Sequence, residues 1–93
     1  MGTIPQTGLE KRRSDIDALD DQLLALLNQR AAIAQEVGDL KQSCPEGAAS
    51  KRDEAREGAI IERLRSQNAG PLGNEAIEKI FHEIFNACLE VQK

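Results

Sequence analysis

In the first half of the chain the apolar positions recur in alternating steps of three and four: Ile16, Leu19, Leu23 and Leu26, then Ile33, Val37 and Leu40. That spacing is the seam of a helix packed against other helices, and Leu24, Leu27, Ala31 and Ala34 widen it. No proline and a single glycine fall within residues 9–41, so the pattern predicts one uninterrupted helix over about 9–42. Cys44-Pro45-Glu46-Gly47 then stops it, because proline strips the preceding residue of its helical preference and glycine adds freedom. Ser50 is placed to cap a second helix, 51–68, whose inner face reads Asp53, Glu57, Ile60, Ile61 and Leu64 and which ends near Asn68-Ala69-Gly70-Pro71. Asn74 is placed to cap a third, 74–92, carrying Ile77, Ile80, Phe81, Ile84, Phe85, Cys88 and Val91. No strand alternation, repeat or low-complexity tract competes with this reading. The expected class is all-α: three helices in one domain spanning 1–93, with 1–8 as a flexible tail.

The length of the first helix has a consequence for assembly. At 1.5 Å per residue it is roughly 50 Å long, whereas a compact chain of this size has a radius of gyration near 12 Å. The two shorter helices, about 18 residues each, cover only part of its seam. Another long helix, most simply from an identical chain, is expected to cover the rest, giving a helical homodimer.

Composition narrows the function classes. The 93 residues are 40% hydrophobic and 30% charged, as in a folded soluble protein. Trp and Tyr are absent, only two Phe occur, and the net charge is -4, which argues against nucleic acid as a partner. No apolar run approaches the roughly 20 residues that span a bilayer, and residues 1–8 have neither a basic nor an apolar targeting segment. Two cysteines and one histidine make neither a CxxC-type zinc site nor a disulfide framework, so a cytoplasmic protein without metal or cofactor is expected.

The candidate chemistry lies in charges that occupy apolar positions. Continuing the seam of the first helix, the step after Leu26 lands on Arg30, whose neighbours three and four residues away are Leu26, Leu27, Ile33 and Ala34. No carboxylate on its own helix can reach it, so a neighbouring helix or a ligand must supply the anion. Lys41 lies eleven residues on, three turns along nearly the same face, with Val37, Gly38, Cys44 and Pro45 at helical spacing, although a lysine there also complements the helix dipole. Arg13 is flanked by Glu10 and Asp17, for which a solvated ion-pair ladder is a sufficient local account. It lies about 25 Å from Arg30 along one helix, so a joint role requires Arg13 from a partner chain. On the second helix Glu57 intrudes on the apolar face and needs a donor, while Arg56 pairing with Asp53, and Asp53 as a first-turn acid, are the simple readings. Cys88 and Gln92 stand four apart on the inner side of the third helix, where a small residue and an amide also serve plain packing. His82 reads as a surface residue, and no nucleophile has a base in a recognisable motif. Cations, an amide and a carboxylate lining one helical interior point to a small dianion or polyanion handled without covalent chemistry.

These segments resemble a known family. Ala18-Leu19-Asp20, Leu23-Leu24-Ala25-Leu26-Leu27, Arg30, Glu36-Val37-Gly38 and Lys41 look like the first helix of the all-helical chorismate mutases. Asp53-Glu54-Ala55-Arg56-Glu57 followed by Ile60-Ile61-Glu62-Arg63-Leu64 looks like the second. Gly70-Pro71-Leu72, Ile80-Phe81-His82-Glu83-Ile84 and Ala87-Cys88-Leu89 are similar to mutase domains fused to prephenate dehydratase.

The resemblance implies an interlocked dimer with two active sites, each taking Arg13 from one chain and the remainder from the other. It implies that Arg13 and Arg30 hold the two carboxylates of chorismate, with Cys88 beside one of them. Lys41 and Gln92 would donate to the ether oxygen, Glu57 and the backbone of Asp53 would hold the ring hydroxyl, and Arg56 would line the pocket. Cys88 departs from the family pattern, since many members have serine there, and the loop 42–50 differs as well. The implied reaction is the rearrangement of chorismate to prephenate in phenylalanine and tyrosine biosynthesis. Two alternatives stay open: an isochorismate pyruvate lyase on the same scaffold, against which Glu57 argues, and a non-catalytic regulatory or dimerisation module.

Overall fold

The structure is a computed structural model that describes residues 8–42 and 52–92. Among the described residues there are three helices and no strand: α1, Gly8–Gln42; α2, Glu54–Gln67; and α3, Asn74–Glu90. The Cys44-Pro45 stop, the Ser50 cap, most of the loop 42–50 and all of the tail except Gly8 lie outside the described residues.

The start of the second helix and the cap of the third differ from the sequence expectation, each for a local reason, and the third helix ends at Glu90 where 92 was expected. The second helix begins at Glu54, three residues late, because Asp53 is its N-cap: in extended conformation, φ -109 and ψ 90, its carboxylate accepts the backbone N–H of Arg56 at 2.9 Å. Asp53 and Arg56 are thus joined through the backbone of Arg56, and the expected side-chain ion pair does not form. The cap of α3 is Gly73, not Asn74. Asn74 instead offers its Oδ1 to the side-chain amide of Asn68 at 2.8 Å, and that amide also donates to the carbonyl of Leu72 at 2.8 Å. These bonds close the turn in which Gly70 adopts φ 81, a conformation that glycine reaches without steric penalty. Beyond the last residue of α3, the backbone N–H of Gln92 donates to the carbonyl of Leu89 at 3.1 Å, so Gln92 stays in register one turn past Cys88.

The packed core is small and sits between α2 and α3. Ile60 and Ile61 meet Phe85, with Leu64 and Phe81 packed around them, and the Phe81 and Phe85 rings lie 6.2 Å apart at 59°. α3 packs against both other helices, whereas α1 and α2 do not pack directly on each other.

Among the described residues, most of α1 therefore has nothing to lie on. Gly38 is its one buried residue, and Ile16, Leu19, Leu23 and Leu26 are each more than half exposed. The molecule is a rod, 69 × 28 × 15 Å, with a radius of gyration of 18.5 Å against about 12 Å for a compact chain of this length. A continuous stripe of large aliphatic side chains at heptad spacing is far more than the scattered apolar exposure of an ordinary surface.

Because the small core rests on few side chains, truncating one is costly. Ile61→Ala is expected to lower unfolding free energy by about 2–5 kcal/mol in urea titrations at fixed protein concentration; a loss below about 1 kcal/mol would show that the core lies elsewhere.

Candidate active site

The site is built where the C-terminal third of α1 crosses the end of α3. That crossing is unusually close because position 38 has no side chain. A Cβ placed on Gly38 would lie 3.0 Å from Cβ of Gln92 and 3.1 Å from its Cα, too near for the backbone to stay where it is. The contact seats Gln92 against α1, and its side-chain Nε2 donates to the carbonyl of Ala34 at 3.1 Å. This bond fixes which end of the amide is which, since turning it over would set Oε1 against a carbonyl oxygen. One amide hydrogen is thereby used and the second remains. Oε1 is buried with no hydrogen-bond partner among the described residues, a cost of about 1–3 kcal/mol.

Facing this crossing is a cleft of about 510 Å³. Seven of the eight residues singled out from the sequence line it: Arg30 and Lys41 from α1, Asp53, Arg56 and Glu57 from the start of α2, and Cys88 and Gln92 from α3. Its apolar walls are Ile33, Val37, Ile60, Phe85 and Leu89. Arg13 is the exception: it lies exposed, about five turns away along α1, and does not line this cleft. Nor does Arg13 join the ion-pair ladder expected of it. The pair that forms is Arg12 with Asp15, at 3.1 Å, and Arg13 makes none among the described residues.

The surroundings of Arg30 match the expectation that its own helix cannot neutralise it. Its Nη1 donates to Sγ of Cys88 at 3.2 Å, and its guanidinium carbon stands 5.5 Å from the centre of the Phe85 ring. A thiol is a weak acceptor and a ring face is no counter-ion, so the charge of Arg30 is held without a carboxylate among the described residues. The guanidinium groups of Arg56 and Arg63, also on the cleft, likewise form no ion pair among the described residues. Of the two acids on the cleft, Asp53 is occupied as the cap of α2. Glu57 finds the donor it required in Arg52, Nη1 to Oε1 at 2.9 Å. The cleft thus carries four cationic side chains, Arg30, Lys41, Arg56 and Arg63, against two carboxylates, in a chain whose net charge is -4. Arg30 and Lys41 are half-buried and Arg56 and Arg63 exposed, and such a concentration of one sign around one cleft attracts a small anion.

Sequence reasoning missed Arg52, Arg63 and the role of Gly38. Arg63 lies one heptad beyond Arg56 on the same face, a spacing that was there to be read. Arg52 and Gly38 gave no such signal, since one precedes the helix and the other matters through a contact with a residue more than fifty positions away. His82, as expected, lies on the surface; its ring meets Phe85 edge-on at 5.9 Å and its Nε2 lies 3.8 Å from Glu78. Among the described residues no group of side chains could hold a metal ion, and no helix is long and apolar enough to cross a membrane.

Comparison with known proteins agrees with this geometry. The family model for chorismate mutase type II matches residues 12–93. The chain belongs to the type II chorismate mutase family. It is 38% identical over 91 residues to a bifunctional chorismate mutase/prephenate dehydratase of Pseudomonas aeruginosa, matching 95% of this chain and 25% of that protein. With the protein of the same name from Neisseria gonorrhoeae it shares 36% identity over 81 residues, 87% of this chain and 21% of the relative. The chain therefore spans about a quarter of the length of these relatives. Among solved structures it superposes on a chorismate mutase from Thermus thermophilus with a TM-score of 0.85 and 31% identity, covering 92% of this chain and 94% of that one. A chorismate mutase from Helicobacter pylori in complex with prephenate gives a TM-score of 0.80 and 31% identity, over 90% of this chain and 88% of that one.

The Gly38 contact makes a contrast testable. Gly58→Ala, in the exposed interior of α2 with open space around it, is expected to stabilise the fold by about 0.5–1 kcal/mol. Gly38→Ala, in an equally helical position, is expected to lower stability and the melting temperature instead; equal gains for the two would show that α1 and α3 do not meet this closely.

Proposed function

We propose that this chain rearranges chorismate to prephenate, and that it does so as an interlocked homodimer in which each cleft is completed by Arg13 of the other chain. The observation that carries the reading is the charge state of the cleft: Arg30 lies on it with only a thiol and a ring for company, and Arg56 and Arg63 add guanidinium groups without carboxylate partners among the described residues. A dianion supplies what these groups lack. The uncovered seam of α1 supports the dimer, because a second copy of the same helix is the simplest apolar surface of matching length. It also supports the shared site, since a partner helix running along that seam can bring its own Arg13 to a cleft that this chain's Arg13 does not line.

The reaction needs neither acid, base nor nucleophile. Chorismate must be held with its enolpyruvyl arm folded over the ring, and the ether oxygen gains negative character as its C–O bond breaks ahead of C–C bond formation. Arg30 and the partner's Arg13 take the two carboxylates and so fix the folded conformer. Lys41 and the second amide hydrogen of Gln92 donate to the ether oxygen. The position of Gln92 is set before substrate arrives by its bond to Ala34, so the charge that develops meets a donor that need not reorganise. Each such donor is worth about 3–4 kcal/mol, and a millionfold acceleration requires about 8 kcal/mol. Glu57 and the backbone of Asp53 hold the ring hydroxyl, with Arg56 lining the pocket beside them. Cys88 keeps Arg30 in place but gives a weaker hydrogen bond than the serine of many relatives. The biosynthetic setting is that of phenylalanine and tyrosine, in the cytoplasm.

Incubation with chorismate, followed by loss of its ultraviolet absorbance and identification of prephenate, tests the reading; release of pyruvate from isochorismate, or an inert chain, would defeat it. Gln92→Glu sharpens the placement of that side chain. An ionised carboxylate there would face two acceptors, the Ala34 carbonyl and the ether oxygen, so the variant is expected to work only when protonated, with turnover present in acid and lost as pH rises. Coincident pH profiles for parent and variant would contradict the assignment. Lys41→Ala is expected to lower kcat by about 100-fold or more with a smaller effect on KM; a change in KM alone would mean that Lys41 binds substrate and transition state equally.

A further inference from the structure

The carboxylate of Glu57 is not left to find its own orientation. Its Oε1 accepts from Nη1 of Arg52 at 2.9 Å, while Nη2 of the same guanidinium donates to Oδ1 of Asn86 at 2.6 Å. Arg52 immediately precedes the cap residue of α2, and Asn86 lies on α3 two residues before Cys88. The planar fork of Arg52 therefore bridges Glu57, in the first turn of α2, to Asn86 on α3. The ion pair is partly exposed, 35% for the Arg52 side chain and 15% for that of Glu57. A pair of that kind contributes little to stability, so its main effect is geometric. The fork occupies one carboxylate oxygen and leaves Oε2 without a hydrogen-bond partner among the described residues, on a side chain that lines the cleft.

We propose that Arg52 is a positioning residue that makes the cleft selective for ligands bearing a ring hydroxyl, by holding Glu57 as a fixed acceptor. The inference rests on the reading that Glu57 receives the ring hydroxyl of chorismate. A carboxylate can only accept, so a ligand with an O–H at that point completes it, while a ligand without one leaves Oε2 covered and without a donor. That penalty operates only while the carboxylate is held in place. Without Arg52 the glutamate can turn toward water, the ligand that lacks the hydroxyl is no longer rejected, and the one that has it loses an oriented partner. Arg52 touches no reacting atom in this scheme; it acts through Glu57.

Titration calorimetry of the whole chain with an oxabicyclic dicarboxylate mimic of the rearranging substrate, prepared with and without its ring hydroxyl, tests this. The parent is expected to prefer the hydroxylated form by at least about tenfold. Arg52→Ala should reduce that preference to about twofold or less, and in a Glu57→Ala background it should change the preference no further. Arg52→Lys, which keeps one donor and serves if the alanine variant does not fold, should fall between. An equal loss of affinity for both mimics, or an unchanged preference in both variants, overturns the assignment, because a purely structural tie would weaken the two ligands alike. Chorismate turnover by the parent is read alongside. A parent that discriminates between the mimics but rearranges nothing defeats the functional reading while the ratio still decides Arg52, and a parent that turns over chorismate yet shows no preference defeats Arg52 alone.

Discussion

Everything in this molecule turns on guanidinium charge held in a recess where the described residues provide no matching carboxylate. Arg30 occupies a position that the apolar seam of α1 would give to a leucine, and it is steadied by the Cys88 thiol and the face of Phe85. Neither neutralises it. Arg56 and Arg63 add to the excess, while the nearby acids are engaged in capping α2 and in the bond to Arg52. A protein of net charge -4 that gathers cations around one cleft has arranged its charges against their average, and that local excess is what the proposed dianion answers.

The second constraint is the length of α1. A helix of 35 residues, about 52 Å, is met by α3 alone, and only along its last third. The packing that results is sparse: α3 touches both neighbours, the core is a handful of residues, and the cleft opens where the helices diverge. In the proposed dimer the uncovered seam and the incomplete site are one and the same feature, because the helix that would cover the former carries the arginine that would finish the latter.

How much of this is legible in the sequence follows from how far each interaction reaches along the chain. Periodicity reveals the three helices, since residues three and four apart must share a face. The orphan status of Arg30 is readable for the same reason: its helical neighbours are apolar. Where the decisive contact lies outside the helix, sequence alone misleads. Asp53 reads as a first-turn acid and is the cap, so α2 begins later than expected, and Asn74 reads as a cap and instead ties to Asn68. Glu57 visibly needs a donor, but nothing local names Arg52, which also reaches Asn86 on another helix. Gly38 looks like a mere interruption of α1 and is the point of closest approach to Gln92. The roles of the site residues come from family resemblance and not from spacing, and among them Arg13 depends wholly on an arrangement of two chains.

That dependence also offers the most direct check. Arg13→Ala and Arg30→Ala chains, each inactive alone, can be unfolded together and refolded as a mixture, and chorismate turnover then measured. If each site draws Arg13 from one chain and the rest from the other, half the dimers are mixed and one site in each is intact, so the mixture regains about a quarter of the parental activity per chain. A mixture as inert as its components, or an Arg13→Ala chain that retains full turnover by itself, would contradict a site shared between chains.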